Sequence, residues 1–327
     1  MRAPSVSVVI CAYTEERLGE LLRAVDSVAG QTRPPLETIV VVDHNEALRC
    51  RIEDLLPAVK VIGSSSPPGL SGARNAGVAA AAGDVVAFID DDAVAEPTWL
   101  EHLSVQYARD EVVGVGGLIV PAWASARPAW FPEEFNWVVG CSYRGLPSSR
   151  RSVRNLIGAN MSFRREAVER AGGFASGVGR VGDRSTGLRL LAAARSPKEC
   201  EETEFCLRLH ARAPGRVLLY EPAAVVRHLV PRERSTWRYF LRRCYGEGTS
   251  KALIARLAGR GRGLSSERAY AARALPSGLA REIRGAVRDR RLAPLGRAAA
   301  IAAGFATVAT GFVAGLAFGG SPDRPRV

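Results

Sequence analysis

The sequence has six cysteines but no Cys-x-x-Cys pair, so neither a zinc ribbon nor a disulfide framework is expected. It also lacks an apolar stretch near its first residue that would be long enough for a signal peptide, and we therefore expect reduced thiols and a cytoplasmic catalytic part. No recognised nucleic-acid-binding motif occurs. With 47% hydrophobic and 24% charged residues over 327 positions, the chain is neither a disordered tail nor a collagen, and it can bury a substantial core.

The charge is distributed unevenly along the chain. The net charge is +12, from 45 Lys and Arg against 33 Asp and Glu. Residues 1–140 hold 10 basic and 19 acidic side chains, a net charge of −9, whereas residues 231–327 hold 19 basic and 6 acidic, a net charge of +13. One uniform nucleic-acid-binding surface would not show this asymmetry, so we expect no nucleic-acid partner and a separate role for each end.

Short β-branched runs alternate with helical patterns in the first third of the chain. The strand-like segments are residues 6–10, 38–42, 59–62 and 85–89, and the helical ones are residues 18–29 and 71–82. This order predicts an α/β fold with a doubly wound, mostly parallel sheet. Ligands of such sheets bind beyond the carboxyl ends of the strands. The segments at those ends, residues 11–16, 43–45 and 90–92, are polar or acidic.

Three consecutive aspartates, Asp90, Asp91 and Asp92, directly follow the apolar run at residues 85–89. Adjacent carboxylates repel one another unless a cation offsets their charge. Hard oxygen ligands at a strand end suit Mg²⁺ or Mn²⁺, which in turn would bind a diphosphate. A solvated acidic turn is the alternative that these residues alone leave open.

Two further segments carry side chains that could act in catalysis or ligand binding. Glu201 and Glu202 open an amphipathic helical pattern, where a fixed carboxylate could act as a general base, although the helix macrodipole alone also favours acids in a first turn. Residues 69–77 bring glycines and Arg74 to a helix entrance, which suits a phosphate. That segment is neither a Walker loop nor a Gly-x-Gly-x-x-Gly loop. For both segments the residues alone do not decide the role.

An ordered series of short motifs extends over residues 5–230. In chain order they are Val6 to Tyr13, Val40 to Asn45, Gly72 to Gly77, Phe88 to Asp92 with Pro97 to Leu100, Gly158 to Arg165, Gly172 to Phe174, Glu201 to Glu204 and Pro222 to His228. This series resembles glycosyltransferase family 2, the nucleotide-sugar-dependent enzymes of GT-A fold. The resemblance implies a nucleotide-sugar-binding part at residues 1–120 and an acceptor-binding and catalytic part at residues 121–230.

The resemblance also implies a role for each matching residue. The nucleotide would be bound by Ala12, Tyr13, Glu15 and Asp43, with Arg74, Asp90 and Asp91 at the donor. The metal, Mg²⁺ or Mn²⁺, would be held by Asp90, Asp92 and His228. Glu202 would be the catalytic base, with Glu201 second to it. The acceptor and sugar pocket would be lined by Gly158, Asn160, Gly173 and Phe174.

The implied reaction is a single displacement, with inversion, that moves a sugar from a nucleotide-sugar, expected to be a UDP-sugar, to a hydroxyl acceptor. A saccharide, a lipid-linked molecule or a small metabolite could be that acceptor. Three features depart from the family pattern: Asp43 is followed by His44-Asn45-Glu46, Glu202 stands where Asp is common, and a long loop at residues 176–199 suggests a lid. A sugar nucleotidyltransferase and a non-catalytic basic membrane or nucleic-acid adaptor are the alternative functions.

The C-terminal part has a composition of its own. Residues 231–297 are predicted to be a basic helical region, and residues 298–320 form a charge-free stretch of the length needed to cross a bilayer. The arginines that precede this stretch predict an anionic membrane as partner and the cytoplasmic face of the cell membrane as location. A helix packed on the soluble domain is the alternative to a span. His102 and His210 fall on helical patterns and are expected to be packing or surface residues.

Overall fold

The computed structural model describes residues 4–175, 201–258 and 264–318. Its strands are β1 Val6–Ala12, β2 Glu37–Val42, β3 Lys60–Gly63, β4 Val85–Asp90, β5 Ala93–Ala95, β6 Val112–Trp123, β7 Arg151–Val153, β8 Asn160–Arg164 and β9 Val217–Val230. Its α-helices are α1 Leu18–Ala29, α2 Glu46–Leu55, α3 Leu70–Ala80, α4 Trp99–Val105, α5 Arg165–Ala171, α6 Glu201–Arg212, α7 Trp237–Ala258, α8 Ser265–Ala269, α9 Leu275–Asp289 and α10 Ala293–Phe318. A π-helical turn, Tyr270–Ala274, joins α8 to α9.

The described strands form one mixed sheet with the order β3-β2-β1-β4-β8-β6-β9-β5, and β7 pairs with β9. The first four strands of this order are parallel, as their alternation with helices predicts. Beyond them, β8 lies antiparallel between β4 and β6, and β9 runs parallel to β6. The predicted doubly wound sheet is therefore confirmed, and its second half is extended by antiparallel pairing.

Alternate residues of the central strands enter two separate cores, because successive side chains of a strand point to opposite faces. Val8 and Ile10 of β1 pack on one face with Leu21 of α1. Val9 of the same strand packs on the other face with Phe88, and that core also holds an aromatic group of Phe163, Phe174 and Phe205. Helices on both faces thus hold the ends of β1 and β4 in fixed positions at the sheet edge.

The C-terminal helices dock on the sheet domain through an aromatic cluster and an ion-pair network. Phe240 of α7 packs against Phe131 and Phe135, with ring centroids 5.6 and 5.2 Å apart respectively. Arg281 of α9 lies 2.9 Å from the fully buried Glu134 carboxylate. The described residues of the region 231–297 are thus folded against the sheet domain, and several of their arginines form internal ion pairs.

Candidate active site

The carboxyl ends of β1, β2 and β4 meet at one edge of the sheet, as predicted. Cys11 of β1 is the register partner of both Val41 of β2 and Asp90 of β4. Asp91 and Asp92 follow β4 directly, and both are buried. The three aspartates are therefore fixed by the central strand pair of the sheet and do not form a solvated turn.

His228 reaches these aspartates from β9, where it is the register partner of Ala93. One ligand atom from each of Asp90, Asp92 and His228 lies within 4.8 Å of the others, and His228 Nε2 is 3.1 Å from Asp92 Oδ1. Two carboxylates and one imidazole at this spacing are a donor set that fits a divalent cation such as Mn²⁺ or Mg²⁺. The structure thus brings the three predicted metal ligands together.

Burial and mutual charge shift the pKa values of this cluster. Burial lowers the pKa of His228, but the adjacent Asp92 carboxylate outweighs burial and raises that pKa to about 10. Burial raises the pKa of Asp92, and the charge and hydrogen bond of His228 then lower it well below its usual range. The cluster therefore holds a proton on His228 opposite Asp92, a position in which a divalent cation would compete with that proton.

Two arginines that the sequence analysis missed also neutralise the aspartates. Arg17, at the end of the short 3-10 turn Glu15–Arg17, lies 3.1 Å from both Asp91 Oδ1 and Asp92 Oδ2. Arg234 follows β9 and lies 4.0 Å from Asp92 Oδ2. Arg17 stands beyond the carboxyl end of β1, so its position could have been found by the strand-end rule. No sequence signal indicates Arg234, because the turn that follows β9 determines its direction.

Arg74 connects the aspartates to the acidic start of α6. This guanidinium is buried, and its Nη1 lies 2.7 Å from Glu201 Oε1 and 3.1 Å from Glu202 Oε1. Its Nη2 is 3.9 Å from Asp90 Oδ1. The sequence placed Arg74 at the donor phosphates and the glutamates at the acceptor. The structure adds that one arginine links the two halves of the site.

Gly158 is the point where the chain passes closest to this ion-pair group. A Cβ at this position would stand 2.5 Å from Arg74 Nη2 and closer still to Glu202 Oε1. Real Cβ atoms essentially never make such contacts, so only glycine fits here without movement of its neighbours. Gly158 therefore sets how near the Glu202 carboxylate lies to the loop before β8.

The predicted nucleotide-binding residues lie at the ends of β1 and β2. Ala12 is buried, Tyr13 accepts a hydrogen bond from Asn45 Nδ2 at its carbonyl, and Glu15 is exposed at 3.4 Å from Arg51. The Asp43 carboxylate accepts a hydrogen bond from the Gly69 backbone N–H at 2.9 Å, which ties the end of β2 to the start of α3. The unusual His44 has a left-handed backbone with φ of 52° and contacts Asp43 through Nδ1.

Three of the four predicted acceptor residues lie beneath the site. Asn160 is fully buried: its Oδ1 accepts from Trp99 Nε1, and its Nδ2 donates to two backbone carbonyls. Phe174 packs on Phe205 with ring centroids 4.4 Å apart, below the Arg74 guanidinium. Gly173 has a left-handed backbone, and a Cβ at this position would stand 2.6 Å from Asn75 Oδ1. These positions support the site from below, and contact of Asn160, Gly173 or Phe174 with an acceptor stays a prediction.

A cavity of about 460 Å³ opens beside the carboxylates. On the sheet side it is lined by Arg74, Asp90, Gly158, Glu201, Glu202 and His228. On the opposite side the wall comes from the C-terminal helices, with Lys251 of α7, Glu267 of α8 and the apolar residues Phe305, Val308 and Phe312 of α10. The family resemblance implied an acceptor-binding part at residues 121–230. The second wall could not be found from sequence, because it depends on how α7 and α10 fold back.

Two remaining predictions concern histidines and a loop. His102 is on α4, and His210 of α6 is 3.2 Å from the Arg154 carbonyl, so neither is among the site residues described above. The proposed lid at residues 176–199 lies outside the described residues.

Comparison with known proteins identifies the family. The family model described as "Glycosyl transferase family 2" matches residues 7–172. The chain is 36% identical over 253 residues to a glucosyl-dolichyl phosphate glucuronosyltransferase of Haloferax volcanii, an alignment that covers 76% of this chain and 77% of that protein. The chain belongs to glycosyltransferase family 2.

Two further similarities fit this family 2 glycosyltransferase. The succinoglycan biosynthesis protein ExoM of Rhizobium meliloti is 24% identical over 249 residues, which cover 74% of this chain and 72% of that protein. A crystal structure of GalNAc-T7 with UDP, GalNAc and Mn²⁺ matches with a TM-score of 0.53 and 19% identity, over 84% of this chain and 57% of that one. The likeness confirms the GT-A fold. Family membership decides in favour of glycosyl transfer over the nucleotidyltransferase and adaptor alternatives.

Proposed function

We propose that this enzyme transfers a sugar, with inversion, from a nucleoside diphosphate sugar to a hydroxyl of a lipid-linked acceptor. The observation that carries the proposal is that the Asp90–Asp92–His228 cluster and the Glu201–Glu202 pair open on one cavity. A donor diphosphate at the aspartate–histidine cluster and an acceptor hydroxyl at the glutamate pair would then lie on either side of Arg74. A UDP-sugar is the donor to test first, since UDP is the nucleotide named for the GalNAc-T7 structure.

The metal site belongs to the donor half of the reaction. Asp90, Asp92 and His228 would hold a divalent cation, which when bound supplies positive charge to the leaving diphosphate. Arg17 holds Asp91 and Asp92 in place from one side, and Arg234 approaches Asp92 from β9. This pre-organised charge lies at the strand ends before any ligand arrives, which reduces the reorganisation needed during transfer.

Exposure separates the two candidate bases. Glu201 has a side chain that is only 3% exposed and makes the shorter contact with Arg74, 2.7 Å against 3.1 Å. The Glu202 side chain is 22% exposed, and Gly158 leaves room beside its carboxylate. A general base must come within hydrogen-bond reach of the hydroxyl proton it removes. Glu202 therefore accepts the proton, and Glu201 fixes the position of Arg74.

The acceptor wall of the cavity combines apolar and cationic groups. Phe305, Val308 and Phe312 of α10 supply the apolar part, and Arg243 and Arg268 lie in the same lining, whereas the charges of Arg154 and Lys251 are balanced by Glu267 and Glu247. A saccharide linked through phosphate to a lipid has complementary chemistry, with an anionic group next to a hydrocarbon chain. The name of the H. volcanii relative, which specifies glucosyl-dolichyl phosphate, supports the same class of acceptor.

Three purified proteins test the catalytic assignment. Glu202→Gln should retain metal-dependent binding of the donor, measured as a thermal shift, and lose sugar transfer. The matched control is Glu204→Gln on the same helix, whose carboxylate pairs with Arg208. It should transfer at the rate of the unchanged enzyme. Near-normal transfer by Glu202→Gln would show that the base lies elsewhere.

The donor and the acceptor are identified by separate screens. Thermal shifts with UDP, GDP and other nucleoside diphosphates, each with and without Mn²⁺, should single out one nucleotide whose effect requires the metal. The corresponding nucleotide sugars are then offered with polyprenyl-phosphate-linked and with water-soluble saccharides. Transfer to the soluble acceptors alone would refute the lipid-linked class and leave the donor chemistry intact.

A further inference from the structure

The pair α9 and α10, with the turn between them, exposes six large apolar side chains. The exposed members on α9, at the turn and on α10 are Ile283, Val287, Leu292, Leu295, Phe305 and Val313. Val287 and Leu292 are 76% and 82% exposed, more than any other large hydrophobic residue that the structure describes. On α10 the intervening outer positions are alanines and Thr310, whose hydroxyl donates a hydrogen bond to the Ala306 carbonyl. Exposed apolar area of this extent marks a contact surface for a partner.

The inner face of α10 is fixed to α7 at backbone distance. A Cβ at Gly248 of α7 would stand 2.7 Å from the Phe312 nitrogen, and a Cβ at Gly311 would stand 3.0 Å from the Tyr245 carbonyl carbon. Arg256 at the end of α7 donates a hydrogen bond to the Leu316 carbonyl at 2.5 Å. The two helices therefore run side by side almost to the end of α10.

This packing determines how α10 can meet a bilayer. Residues Ala293–Ala317 are long and apolar enough to cross one, and only 28% of their most apolar stretch is buried. If α10 crossed the bilayer, the adjoining α7 would enter the hydrocarbon as well, together with Glu247, Lys251 and Arg256. Charged groups are strongly disfavoured there. The alternative is that α10 lies along the bilayer surface with only its outer face in contact.

The charges beside the apolar surface indicate which bilayer fits. Arg284 and Arg288 are exposed, and their spacing of four residues places them on one side of α9, next to Ile283 and Val287, while the exposed Arg291 follows the end of the helix. The neighbouring Arg281 and Arg297 are instead paired with Glu134 and Glu282 inside the protein. Of the two acidic residues on α9, Glu282 is buried, and Asp289 is exposed and pairs with Arg288. An apolar stripe flanked by arginines is the pattern of a helix that binds an anionic lipid surface.

We propose that the outer face of α9 and α10 docks in the plane of an anionic bilayer and that α10 does not cross it. The apolar side chains enter the boundary between headgroups and acyl chains, and the arginines contact lipid phosphates. Anionic lipids are abundant in the cytoplasmic leaflet, which places the enzyme there. Phe305 and Ala309 are exposed and also line the catalytic cavity, so the cavity wall borders the lipid. This docking does not depend on which acceptor the enzyme uses.

Binding of the full-length protein to vesicles tests the surface. Vesicles of phosphatidylcholine with phosphatidylglycerol should bind the protein, and vesicles of phosphatidylcholine alone should bind it far more weakly. Arg284→Glu with Arg288→Glu should weaken binding at least about thirtyfold, since each basic residue near an anionic surface contributes roughly fivefold and each reversal also adds a repelled charge. Arg109→Glu with Arg170→Glu reverses two exposed arginines elsewhere and should leave binding unchanged. Equal loss in both double variants would overturn the assignment.

Labels placed along α10 distinguish an in-plane helix from a span. Ala299, Ala306 and Val313 are exposed at seven-residue intervals, so their positions are about 10 Å apart along the helix axis. Each is replaced by cysteine, with Cys50 and Cys200 changed to serine, and is coupled to an environment-sensitive fluorophore. Lipids with shallow quenchers should quench all three equally. Strongest quenching of the Ala306 label by deep quenchers would show a span, and no quenching would show no docking. Either result overturns the proposal.

Discussion

Gly158→Ala tests the geometry of the site with a single methyl group. The new Cβ would stand 2.5 Å from Arg74 Nη2 and closer to Glu202 Oε1, whereas ordinary van der Waals contact begins at 3.4 Å. The guanidinium and the carboxylate must therefore retreat by about 1 Å or more. The three atoms nearest the new Cβ belong to Arg74 and Glu202 and not to a hydrophobic core side chain, so the fold should be retained and the position of the proposed base should shift.

A misplacement of about 1 Å at a reacting group lowers the rate by roughly 100-fold, which corresponds to about 2.7 kcal/mol of activation free energy. We expect a loss of this size in kcat of Gly158→Ala, with the affinity for the metal and nucleotide changed much less. The assay is steady-state release of the nucleoside diphosphate, paired with a thermal shift for donor binding. Gly19→Ala is the control, because its Cβ would only approach Arg23 Nη1 at 3.8 Å on the exposed side of α1.

A second substitution makes the prediction specific to Glu202. Glu202→Asp shortens the side chain by one methylene, which withdraws its carboxylate from the new methyl group. Gly158→Ala combined with Glu202→Asp should therefore be more active than the product of the two single effects predicts, as expected for directly coupled neighbours. A Gly158→Ala enzyme that keeps its full kcat, or a pair whose effects simply add, would refute the placement of the base beside residue 158.

Three further predictions concern the metal site and the stability of the fold. Asp92→Asn should abolish the thermal shift that UDP produces with Mn²⁺, and a full shift in this variant would remove Asp92 from the metal ligands. Trp99→Phe should lower the free energy of unfolding by about 1–3 kcal/mol, measured in urea, because Asn160 Oδ1 loses its buried donor; unchanged stability would contradict that role. Burial raises the pKa of Glu267, but Lys251 outweighs it, and the pKa falls to about 2 from 4.5. The ionised carboxylate therefore contributes up to about 3 kcal/mol to the free energy of unfolding above pH 4.5, and this contribution is lost as the pH falls toward 2. Glu267→Gln should reduce the loss of stability at acid pH, measured by denaturation at a series of pH values.

The parallel half of the fold could be predicted because its signals are local. The runs around β1, β2 and β4 are continuous and β-branched, as expected for strands buried on both faces, and helices separate them. The antiparallel placement of β8 between β4 and β6 has no such signal. It arises from pairing between strands that are distant in the chain, which no periodicity within β8 encodes.

The candidate site likewise contains residues that could be predicted from local sequence and residues that could not. Asp90 and Asp92 could be found because they directly follow a strand, and His228 because it closes a family motif. The central position of Arg74 could not, since its contacts with Glu201 and Glu202 span more than 120 residues of sequence. The support that Asn160 gives to Trp99 was likewise hidden, because a buried amide and a ligand-binding amide look identical in sequence.

The net charge of +12 is not a direct measure of what the protein binds. Arg74 and Arg17 neutralise carboxylates of the site, and Arg281 and Arg297 neutralise the buried Glu134 and Glu282. Such internal pairs contribute nothing to the field that a distant partner experiences, because their charges cancel within a few ångströms. Among the charges that act outside the protein are the exposed arginines on α9, which stand next to exposed apolar side chains. Nucleic acid offers phosphates but no hydrocarbon to cover Val287 and Leu292, whereas an anionic bilayer offers both.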